Sequence, residues 1–594
     1  MSIEEKISNT LIREDCGIWR LRNHRSFAYS DGSHAERYLQ SVFERDIDLS
    51  SASLDLNEYI KDWPSEYHLS NKRAQLLSGF DFDPSLKVLE VGCGCGAISR
   101  YLAENFNDVV SIEGSPVRAR LAQMRTRDCD NVSIVCAPFQ QLEFSEKFDL
   151  IVCVGVLEYS AMFVDEEDPY EQVVRYFHDL LSPDGRVVIA IENQFGLKYF
   201  SSSREDHLKL MFEGIEGYPV FADKVRTFGR IELERLLSAH FQNIEFYYPY
   251  PDYKVPDAVL SEEMLLSGNA GELVAGFASR DYYGPMPKLF EESLVTLELA
   301  RNDLLPTFAN SFIVVAGKKN LQDKPVFGQL GIMFSSGRMP QYGMQTRLLR
   351  ADDGALTVEK TLLLPDMVQD ASLTAHPLAG PWIEGYSLHT RILLKCLARA
   401  SSLSDSFQSL RPWLDKLLAV RDQAALADAA IPGNFADCSW KNSFFANGEI
   451  AFIDQEWESQ ENRSLEVLFI RAMFYFLFET QDIKKLPRYL RIGNTRKLIR
   501  KVANLFDLSV SNADFATFCR QEGELQARVY GKSPVQVRMS IRWFLGYRGS
   551  LRVARSLQTT LHRAALVLQS LRRYLRLPIS SEERHSHTQP RDRP

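Results

Sequence analysis

The chain has 594 residues, which is too long for a single hydrophobic core, so we expect two to four domains. Hydrophobic residues make up 45% of the chain and charged residues 25%, proportions typical of a globular protein and not of a disordered or fibrous one. The formal net charge of −9 argues against nucleic acid as the main partner.

The cysteines and the apolar stretches indicate where the protein works. Nine cysteines are scattered along the chain without the paired spacing of a metal site, which favours reduced thiols and a cytoplasmic protein. The charged start has no secretory pattern, and no apolar stretch approaches the roughly 20 residues that span a bilayer. We therefore expect no transmembrane segment.

Changes in composition divide the chain into five parts. The predicted parts are an N-terminal cap at 1–85, an α/β domain at 86–320, a second domain at 325–480, a basic helical region at 484–577 and a disordered tail at 580–594. A polar stretch at 320–324 is predicted to link the two domains.

The most informative segment is the glycine-rich one at 86–96. Apart from Glu90, residues 88–91 are apolar or β-branched and predict a buried strand, and Gly92, Gly94 and Gly96 then permit a tight turn without a Cβ to block a ligand. A helical pattern follows at 97–106. A strand, a glycine turn and a helix form half of a nucleotide-binding crevice, although an ordinary tight turn remains an alternative.

The pattern across 90–96 is E-x-G-x-G-x-G, in which an acid precedes the turn. It resembles the first motif of the Rossmann-like (class I) S-adenosylmethionine (SAM)-dependent methyltransferases. The resemblance implies that the turn passes under the methionine part of SAM. An acid suits a cationic ligand better than it suits a pyrophosphate.

Further strands follow in the order that this resemblance implies. They are predicted at 109–113, 132–135, 148–154 and 187–191. Glu113 ends the second strand, where a carboxylate can accept both ribose hydroxyls of the cofactor. The third strand is followed by Pro138 and Phe139 instead of an acid, so we expect backbone groups and packing on Phe139 to hold the adenine. The predicted cofactor-binding residues are Glu90, Gly92, Cys93, Gly94, Gly96, Glu113, Gly114, Pro138, Phe139 and Val154.

Polar and aromatic segments follow the fifth strand, where the carboxyl ends of the strands open toward a substrate. The segments at 191–200, 204–207, 217–219, 226–228 and 249–254 resemble methyltransferases of bacterial surface-polysaccharide biosynthesis, among them the kinase–methyltransferases that terminate O-antigen chains. The resemblance implies a sugar or sugar phosphate as methyl acceptor. The alternative is that these aromatic residues belong to the core.

A sugar hydroxyl needs a general base, whereas a phosphate oxygen is already anionic. Glu158, His178 and His207 are the candidates. His178 lies in a predicted helix at 170–181, which favours a surface role. Glu158 and His207 are therefore the candidate catalytic residues.

The second domain carries a different motif. Asp437, Asn442 and a further acid, Asp454, follow one another in the order of a kinase catalytic loop. The segment resembles the protein-kinase and aminoglycoside-kinase fold, an α+β kinase-like domain. The resemblance implies that Asp437 is the catalytic base and that Asn442 and Asp454 bind Mg²⁺. It also implies that Lys360 binds the phosphates of ATP.

The second domain also departs from that family. Only about 20 residues separate Lys360 from the hinge-like segment at 382–386, too few for the helix whose glutamate pairs with the lysine. No glycine-rich loop is evident, and Asp454 is followed by Gln455 instead of the usual Phe-Gly. A kinase-like shell without phosphotransfer therefore remains an alternative.

The sequence thus predicts a methyltransferase that acts on a sugar of a surface polysaccharide or lipid-linked intermediate. The alternatives are a methyltransferase of a small molecule or protein, and a scaffold that docks a glycan-assembly complex. The expected partners are the glycan, glycosyltransferases and an anionic membrane surface, and the expected location is the cytoplasm at the periphery of the inner membrane. The basic helices at 484–577 would contact that surface.

Overall fold

The computed structural model describes residues 3–22, 32–164, 167–219, 225–267, 270–284, 288–319, 325–398, 402–426 and 429–548. The predicted linker at 320–324, the basic region beyond 548 and the predicted tail at 580–594 lie outside the described residues. The statements below concern the described residues alone.

The strands are numbered in chain order. The first ten are β1 Leu11–Arg13, β2 Trp19–Leu21, β3 Lys87–Val91, β4 Asp108–Glu113, β5 Val132–Cys136, β6 Phe148–Val154, β7 Leu181–Glu192, β8 Asn243–Tyr250, β9 Ala258–Ser261 and β10 Ser311–Gly317. The others are β11 Gly331–Phe334, β12 Met344–Arg350, β13 Leu356–Leu362, β14 Leu373–Ala375, β15 Leu378–Pro381, β16 Ser443–Ala446, β17 Glu449–Phe452 and β18 Trp457–Ser459.

The α-helices fall into two groups. The first part of the chain has α1 Ile3–Lys6, α2 Ser33–Phe43, α3 Asp55–Glu58, α4 Trp63–Leu69, α5 Ala97–Asn105, α6 Pro116–Arg125, α7 Ser160–Phe163, α8 Pro169–Leu180, α9 Leu197–Phe200, α10 Arg230–Ser238, α11 Glu262–Leu266, α12 Ala270–Ala275, α13 Glu292–Arg301 and α14 Leu305–Phe308. The second has α15 Leu388–Leu397, α16 Leu403–Phe407, α17 Arg411–Ala424, α18 Leu465–Thr480, α19 Arg488–Arg491, α20 Thr495–Ala503, α21 Asn512–Tyr530 and α22 Pro534–Gly546.

The main sheet has fourteen strands, in the order β1-β2-β5-β4-β3-β6-β7-β10-β8-β9-β11-β12-β13-β15. The strands from β2 to β7 in this order are parallel, and β10 is antiparallel to both of its neighbours. The chain proceeds outward from β3 to β4 and β5 and then crosses to β6 on the other side of β3. This reversal creates a crevice at the carboxyl ends of β3 and β6.

The parallel strands are buried on both faces, as a doubly wound sheet requires. Leu89, Val91 and Ile151 join the core on one face. Val88 and Leu150 join the core on the other face, because successive side chains of a strand point in opposite directions. The predicted Rossmann-like fold is therefore confirmed for this part of the chain.

The bounds of the predicted strands differ little from those observed, except at β7. The structure begins this strand at Leu181, and its pairing with β6 shifts register between Phe148 and Leu150. The sequence Ser-Pro-Asp-Gly-Arg at 182–186, which favours a turn, lies at this irregularity. The turn residues interrupt the pairing without ending the strand.

The N-terminal residues contribute to the sheet as well as covering it. β1 and β2 form an antiparallel pair, and β2 pairs in parallel with β5 at one edge of the sheet. Helices α2 and α4 pack nearby, with Leu39, Phe43 and Leu69 sharing a small core with Leu121 of α6. This segment covers the crevice from one side.

The sheet continues beyond the predicted boundary at 320–325. β9 pairs with β11 through Ala258–Met333, Val259–Ile332 and Leu260–Gly331, and β12, β13 and β15 follow in antiparallel order. The helices from α15 onward form a separate core around α18, in which Trp413 and Trp440 are fully buried. None of the described helices combines the length and apolarity needed to cross a bilayer.

Candidate active site

A cavity of about 500 Å³ opens at the carboxyl ends of β3, β4 and β6, and is here called the strand-end cavity. Its lining includes nine of the ten residues predicted to bind the cofactor on this sheet: Glu90, Gly92, Cys93, Gly94, Glu113, Gly114, Pro138, Phe139 and Val154. Gly96 lies behind the turn, against α6. The crevice predicted from the topology and this cavity therefore coincide.

The turn after β3 requires its glycines. Gly92, Gly94 and Gly96 have φ angles of 79°, 56° and 84°. A Cβ on Gly92 would lie 2.3 Å from Cγ2 of Val156, and one on Gly96 would lie 2.8 Å from Cα of Ala122. The left-handed backbone and the close neighbours both exclude a side chain, so the turn stays thin under the cavity.

Two carboxylates at strand ends border the turn. Glu113 accepts hydrogen bonds from the backbone N–H of Gly94 and of Ser115, both at 2.8 Å. Glu90 is 3% exposed and accepts a hydrogen bond from Ser111 at 2.7 Å. Burial raises the pKa of Glu90 from its usual 4.5 to about 7, so a cation beside it would favour its ionised form.

An aromatic wall borders the third strand. Phe139 packs against Phe163 with ring centroids 5.5 Å apart, and the Tyr176 hydroxyl donates to the Phe139 carbonyl at 2.7 Å. The wall is therefore rigid and apolar. It can stack on a flat ring, as the sequence analysis expects for adenine.

Residues from the N-terminal segment close the cavity on another side. Trp63, Tyr67 and Arg73 line it. The Arg73 guanidinium lies 4.3 Å from the centre of the Tyr67 ring and donates to the Lys254 carbonyl at 2.6 Å. The predicted cap thus reaches the site itself.

Glu158 and His207, the two candidate catalytic residues, meet at the far end of the cavity. Nε2 of His207 lies 3.4 Å from Oε1 of Glu158 and 3.6 Å from Oε2 of Glu192, while Nδ1 lies 2.7 Å from Oε1 of Glu205. We call Glu158, Glu192, Glu205 and His207 the His207 cluster. The predicted alternative, His178, is not among the residues that line the cavity.

The strand ends and one loop hold the His207 cluster. Glu158 follows β6, Glu192 is the last residue of the neighbouring β7, and His207 lies in the loop after α9. The backbone N–H of Arg226 donates to the Glu158 carbonyl at 2.9 Å and fixes this loop to the sheet. Adjacent parallel strands thus place both carboxylates at one edge of the sheet.

A second layer of buried charges supports the cluster. Lys254 donates to Asp206 at 2.6 Å and to Glu192. Lys198 is fully buried and contacts Asp206 at 2.9 Å and Asp252 at 3.4 Å. These pairs fix the orientation of Glu192 from behind.

The cluster shifts the pKa of its own members. Burial raises the pKa of the Glu158 carboxyl. Burial alone lowers the pKa of His207, but the carboxylates of Glu192 and Glu205 raise it well above its usual value. His207 therefore carries a positive charge at neutral pH when only protein groups surround it.

Glu192, Glu205 and Lys254 were not singled out from the sequence. Glu192 had a readable signal, because it ends its strand in an acid just as Glu113 ends the second strand. Glu205 and Lys254 lie in segments predicted to open toward the substrate, but no local pattern marks either residue, since the folding of these loops brings them to the cluster.

A second cavity, of about 860 Å³, lies between β13, β15 and helices from both parts of the chain, and is here called the lysine cavity. Nζ of Lys360 lies 2.6 Å from Oδ1 of Asp454 and 2.6 Å from Oε2 of Glu456. Arg338 also contacts Glu456, at 2.8 Å. Glu456 thus pairs with Lys360. The sequence analysis found no room for the helix that carries such a glutamate in kinases.

The other residues of the predicted kinase motif lie next to this cavity. Asn442 donates to the Asp437 carboxylate at 3.2 Å, and Arg471 donates to its other oxygen at 2.9 Å. Together with Asp454, they border a smaller cavity of about 340 Å³. Asp437, Asn442 and Asp454 thus lie near one another in the structure, and their role in phosphotransfer stays a prediction.

Comparison with known proteins assigns a family to the segment that forms much of the strand-end cavity. Residues 89–189 match the family model described as a methyltransferase domain, and this segment contains β3 to β6 and most of β7. The chain therefore contains a class I SAM-dependent methyltransferase domain.

Curated relatives match only part of the chain. A cyclopropane-fatty-acyl-phospholipid synthase of Escherichia coli K12 is 30% identical over 76 residues, or 13% of this chain and 19% of the relative. A ubiquinone biosynthesis O-methyltransferase of Pseudomonas aeruginosa is 30% identical over 111 residues, or 18% and 45%. Nodulation protein S of Sinorhizobium fredii is 27% identical over 135 residues, or 23% and 57%. The chain thus spans between 19% and 57% of these relatives.

Solved structures give weaker likenesses. The N-methyltransferase NodS of Bradyrhizobium japonicum in complex with S-adenosyl-L-homocysteine is 19% identical, with a TM-score of 0.23, over 36% of this chain and 88% of that chain. A phosphoethanolamine N-methyltransferase 2 of Haemonchus contortus is 17% identical, with a TM-score of 0.26, over 42% and 53%. The fold stated above rests on the strand order and not on these scores.

Proposed function

We propose that the protein transfers a methyl group from SAM to a sugar or sugar phosphate of a surface polysaccharide or lipid-linked intermediate. The observation that supports this proposal best is the strand-end cavity. A glycine turn that excludes side chains forms its floor, and acids at the ends of β3 and β4 border it. These residues belong to the segment that matches a methyltransferase domain.

SAM supplies a methyl group that its sulfonium already activates. The task of the chain is therefore to align donor and acceptor, an effect that can contribute roughly 7–11 kcal/mol. Glu113 would accept the ribose hydroxyls, Glu90 would face the cationic part of the donor, and Phe139 would pack on the adenine. The His207 cluster then lies at the end of the cavity left for the acceptor.

The proposed acceptor class rests on the character of that end. Tyr159, Tyr253 and Tyr283 line it together with Lys254, and His207 lies against the edge of the Tyr159 ring at 5.2 Å. Aromatic faces and a cation suit a sugar or its phosphate. A small molecule or a protein side chain is the alternative acceptor.

Calorimetric titration with SAM tests the donor half of this proposal. We expect wild-type protein to bind SAM and a Glu113→Gln variant to bind it about 10–150-fold more weakly, the effect of losing charged hydrogen bonds worth about 1.5–3 kcal/mol. Glu143→Gln, an exposed acid outside the cavity, is the matched control. Absence of SAM binding to the folded wild-type protein would refute the proposal.

Transfer of labelled methyl groups tests the acceptor half. Lipid-linked saccharides, free sugar phosphates, small amines and peptides are offered in parallel to SAM-loaded protein. We expect label in the saccharide or sugar phosphate. Label only in the amines or peptides would replace the proposed acceptor and leave the donor site unchanged.

A second candidate function is nucleotide binding, with phosphotransfer, in the lysine cavity. The observation that favours it is the meeting of Lys360, Asp454 and Glu456 beside Asp437 and Asn442. In this proposal Lys360 faces the phosphates of ATP, and Asn442 and Asp454 hold Mg²⁺. Asp437 activates the hydroxyl that receives the phosphoryl group.

Binding of ATP in the presence of Mg²⁺ tests this second function. We expect Asp454→Ala to remove it, because the variant loses a carboxylate that would hold the metal. Asp415→Ala, an exposed residue of α17 paired with Arg411, is the matched control. If wild-type protein binds no nucleotide, the lysine cavity is a structural remnant and the scaffold alternative is favoured.

We propose that the protein docks on an anionic membrane. Glycosyltransferases at the same membrane would supply the methyl acceptor. Val535, Met539 and Trp543 follow one face of α22 and are each at least 47% exposed. Arg542 lies beside them, and the sequence beyond this helix is rich in arginine. Vesicles containing phosphatidylglycerol should retain wild-type protein better than Trp543→Ser, with Leu505→Ser as control. Equal retention would refute this docking surface.

A further inference from the structure

The His207 cluster has the composition of a metal site. One ligand atom each from Glu158, Glu192 and His207 lies within 4.8 Å of the other two. Side chains of both glutamates are at most 1% exposed, and that of His207 is 7% exposed. Glu158 and His207 line the strand-end cavity, so the group faces the space left for the acceptor.

Three carboxylate oxygens of the group make no hydrogen bond among the described residues, and the long contacts of Glu158 and Glu192 with His207 are the only cationic contacts that these oxygens make there. Both oxygens of Glu158 and Oε2 of Glu192 are buried without a hydrogen-bond partner among the described residues. Burying a carboxylate oxygen without a hydrogen bond or a cation is costly. These three oxygens point to a missing positively charged ligand.

The charges around the group are also unbalanced. Five carboxylates meet three basic side chains here: Glu158, Glu192, Glu205, Asp206 and Asp252 against Lys198, Lys254 and His207. The carboxylates are in excess even when His207 is protonated. A bound cation would restore the balance.

The distances favour a metal over an ion pair. Nε2 of His207 lies 3.4 Å from Glu158 and 3.6 Å from Glu192, which is long for a charge-assisted hydrogen bond. Ligands of a tetrahedral Zn²⁺ site, with bonds of about 2.0–2.2 Å, are separated by about 3.3–3.6 Å. The two observed separations fall in this range.

The residues behind the group match the support that metal ligands receive. Nδ1 of His207 lies 2.7 Å from Glu205, which would fix Nε2 as the atom that binds a metal. Oε1 of Glu192 accepts hydrogen bonds from the Tyr253 hydroxyl at 3.2 Å and from Lys254. Oε2 is then the oxygen available to bind a metal. Both ligands are thus oriented from the side away from the cavity.

We propose that Glu158, Glu192 and His207 bind a divalent transition metal of the Zn²⁺ class, with its fourth position open to the methyl acceptor. The inference rests on the proposed methyltransferase function for the role of the metal but not for its binding. One imidazole and two carboxylates suit such a metal better than Mg²⁺, which prefers oxygen ligands alone. Metal binding displaces the proton from Nε2 of His207.

The metal would position the acceptor oxygen and lower the pKa of its hydroxyl. The hydroxyl gives its proton to solvent, the oxygen forms a bond to the methyl carbon, and the C–S bond breaks with its electron pair staying on sulfur. The products are the methyl ether, the thioether form of the donor and one proton.

Metal binding is tested on the full chain after removal of metals by a chelator. Titration with Zn²⁺ and Co²⁺ should show one site per chain, and the visible absorption of Co²⁺ should have the intensity of four-coordinate geometry. His207→Asn and Glu192→Gln should lose this site. Glu205→Gln should weaken it about 10–100-fold. His178→Asn, which lies outside the cavity, should bind as wild type.

Binding of SAM, measured on the same variants, separates this inference from the proposed function. We expect SAM to bind with or without metal. No Zn²⁺ or Co²⁺ bound to wild-type protein that still binds SAM would overturn the metal site. Binding that persists in both His207→Asn and Glu192→Gln would also overturn it, since the metal would then lie elsewhere. Occupancy by an ammonium acceptor in place of the metal, seen as amine binding without metal binding, would do the same.

Discussion

The two cavities of this molecule are built in opposite ways. Most of the lining of the strand-end cavity comes from short runs of residues at the ends of neighbouring strands, and its floor is a turn that only glycine can form. The lysine cavity is larger and is assembled from segments that lie between residues 197 and 483 and are distant in sequence. Its central lysine is already paired with two acids, Asp454 and Glu456.

This difference bears on how much of each site the sequence alone can predict. A site made of strand ends carries its spacing in the chain, so a family model matches residues 89–189. A site made by folding distant segments together has no such spacing. Lys360 of the lysine cavity pairs with Asp454 and Glu456, whereas three carboxylate oxygens of the His207 cluster have no hydrogen-bond partner among the described residues. The experiments below test this contrast, from the largest expected effect to the smallest.

Removing the lysine of the second cavity should have the largest effect on stability. Lys360→Met leaves the buried Glu456 with Arg338 as its only cationic partner among the described residues. We expect the free energy of unfolding to fall by about 3–5 kcal/mol, the usual effect of removing one partner of a buried ion pair. Denaturant unfolding measures it, and Lys319→Met, an exposed lysine paired with Asp184, is the control. Equal stability of the two variants would show that the lysine cavity is not held by this ion pair.

Glu90 should make the stability of the methyltransferase part depend on pH. Because burial raises its pKa from 4.5 to about 7, its contribution to stability is fully present below pH 4.5 and is lost as pH rises through 7. Glu90→Gln should therefore gain stability relative to wild type between these values, by about 3 kcal/mol. Thermal unfolding measured across this range tests it, with Glu143→Gln as control.

The ionisation of Glu90 should also change the affinity for the cofactor. A cationic donor favours ionised Glu90, so SAM affinity of the wild type should rise as pH increases through 7, and that of Glu90→Gln should not. A pH-independent affinity of the wild type would show that Glu90 does not face the cation.

The glycine turn should be more sensitive to substitution than Gly380 of the lysine cavity. Gly96→Ala forces a side chain into a left-handed backbone, at about 1–3 kcal/mol, and against the backbone of α6. We expect SAM to bind about 5–150-fold more weakly by calorimetry. Gly380→Ala in β15, where a Cβ meets nothing within 4 Å, is the matched control. Similar losses in both would contradict the contrast between the cavities.

Substitution of Asp437 should change stability least of the variants considered. Its effect on activity is the most informative. In Asp437→Asn, Arg471 keeps its contact with Glu522 at 2.9 Å, so we expect the free energy of unfolding to change by less than about 1 kcal/mol. Any phosphotransfer by the wild type should disappear. A kinase assay on both proteins decides whether the lysine cavity is a second enzyme or a structural remnant.

Much of the methyltransferase fold follows from local patterns in the sequence. The strand at 148–154 is predicted with its observed bounds, because an apolar run between turn residues determines both ends. The glycine turn is equally local. The continuation of the sheet through β9 and β11 was not predicted, since pairing between distant strands leaves no spacing in the chain.

The residues of the candidate site likewise include some that local sequence patterns predict and others that they do not. Glu90, Glu113 and Phe139 were found because each lies at or just after the carboxyl end of a strand. The residues that follow Asp454 depart from the kinase pattern. One of them, Glu456, nevertheless pairs with Lys360. Its role depends on β18 folding back toward β13, which no local pattern encodes.

The shared sheet has a consequence for anyone who separates the two parts of the chain. Cutting the protein near residue 322 would leave the β9 edge of one fragment and the β11 edge of the other with unpaired N–H and C=O groups. Such bare edges attract other strands and promote aggregation. Each fragment should therefore be less soluble alone than when both are produced in the same cell, where the severed edges can find each other again.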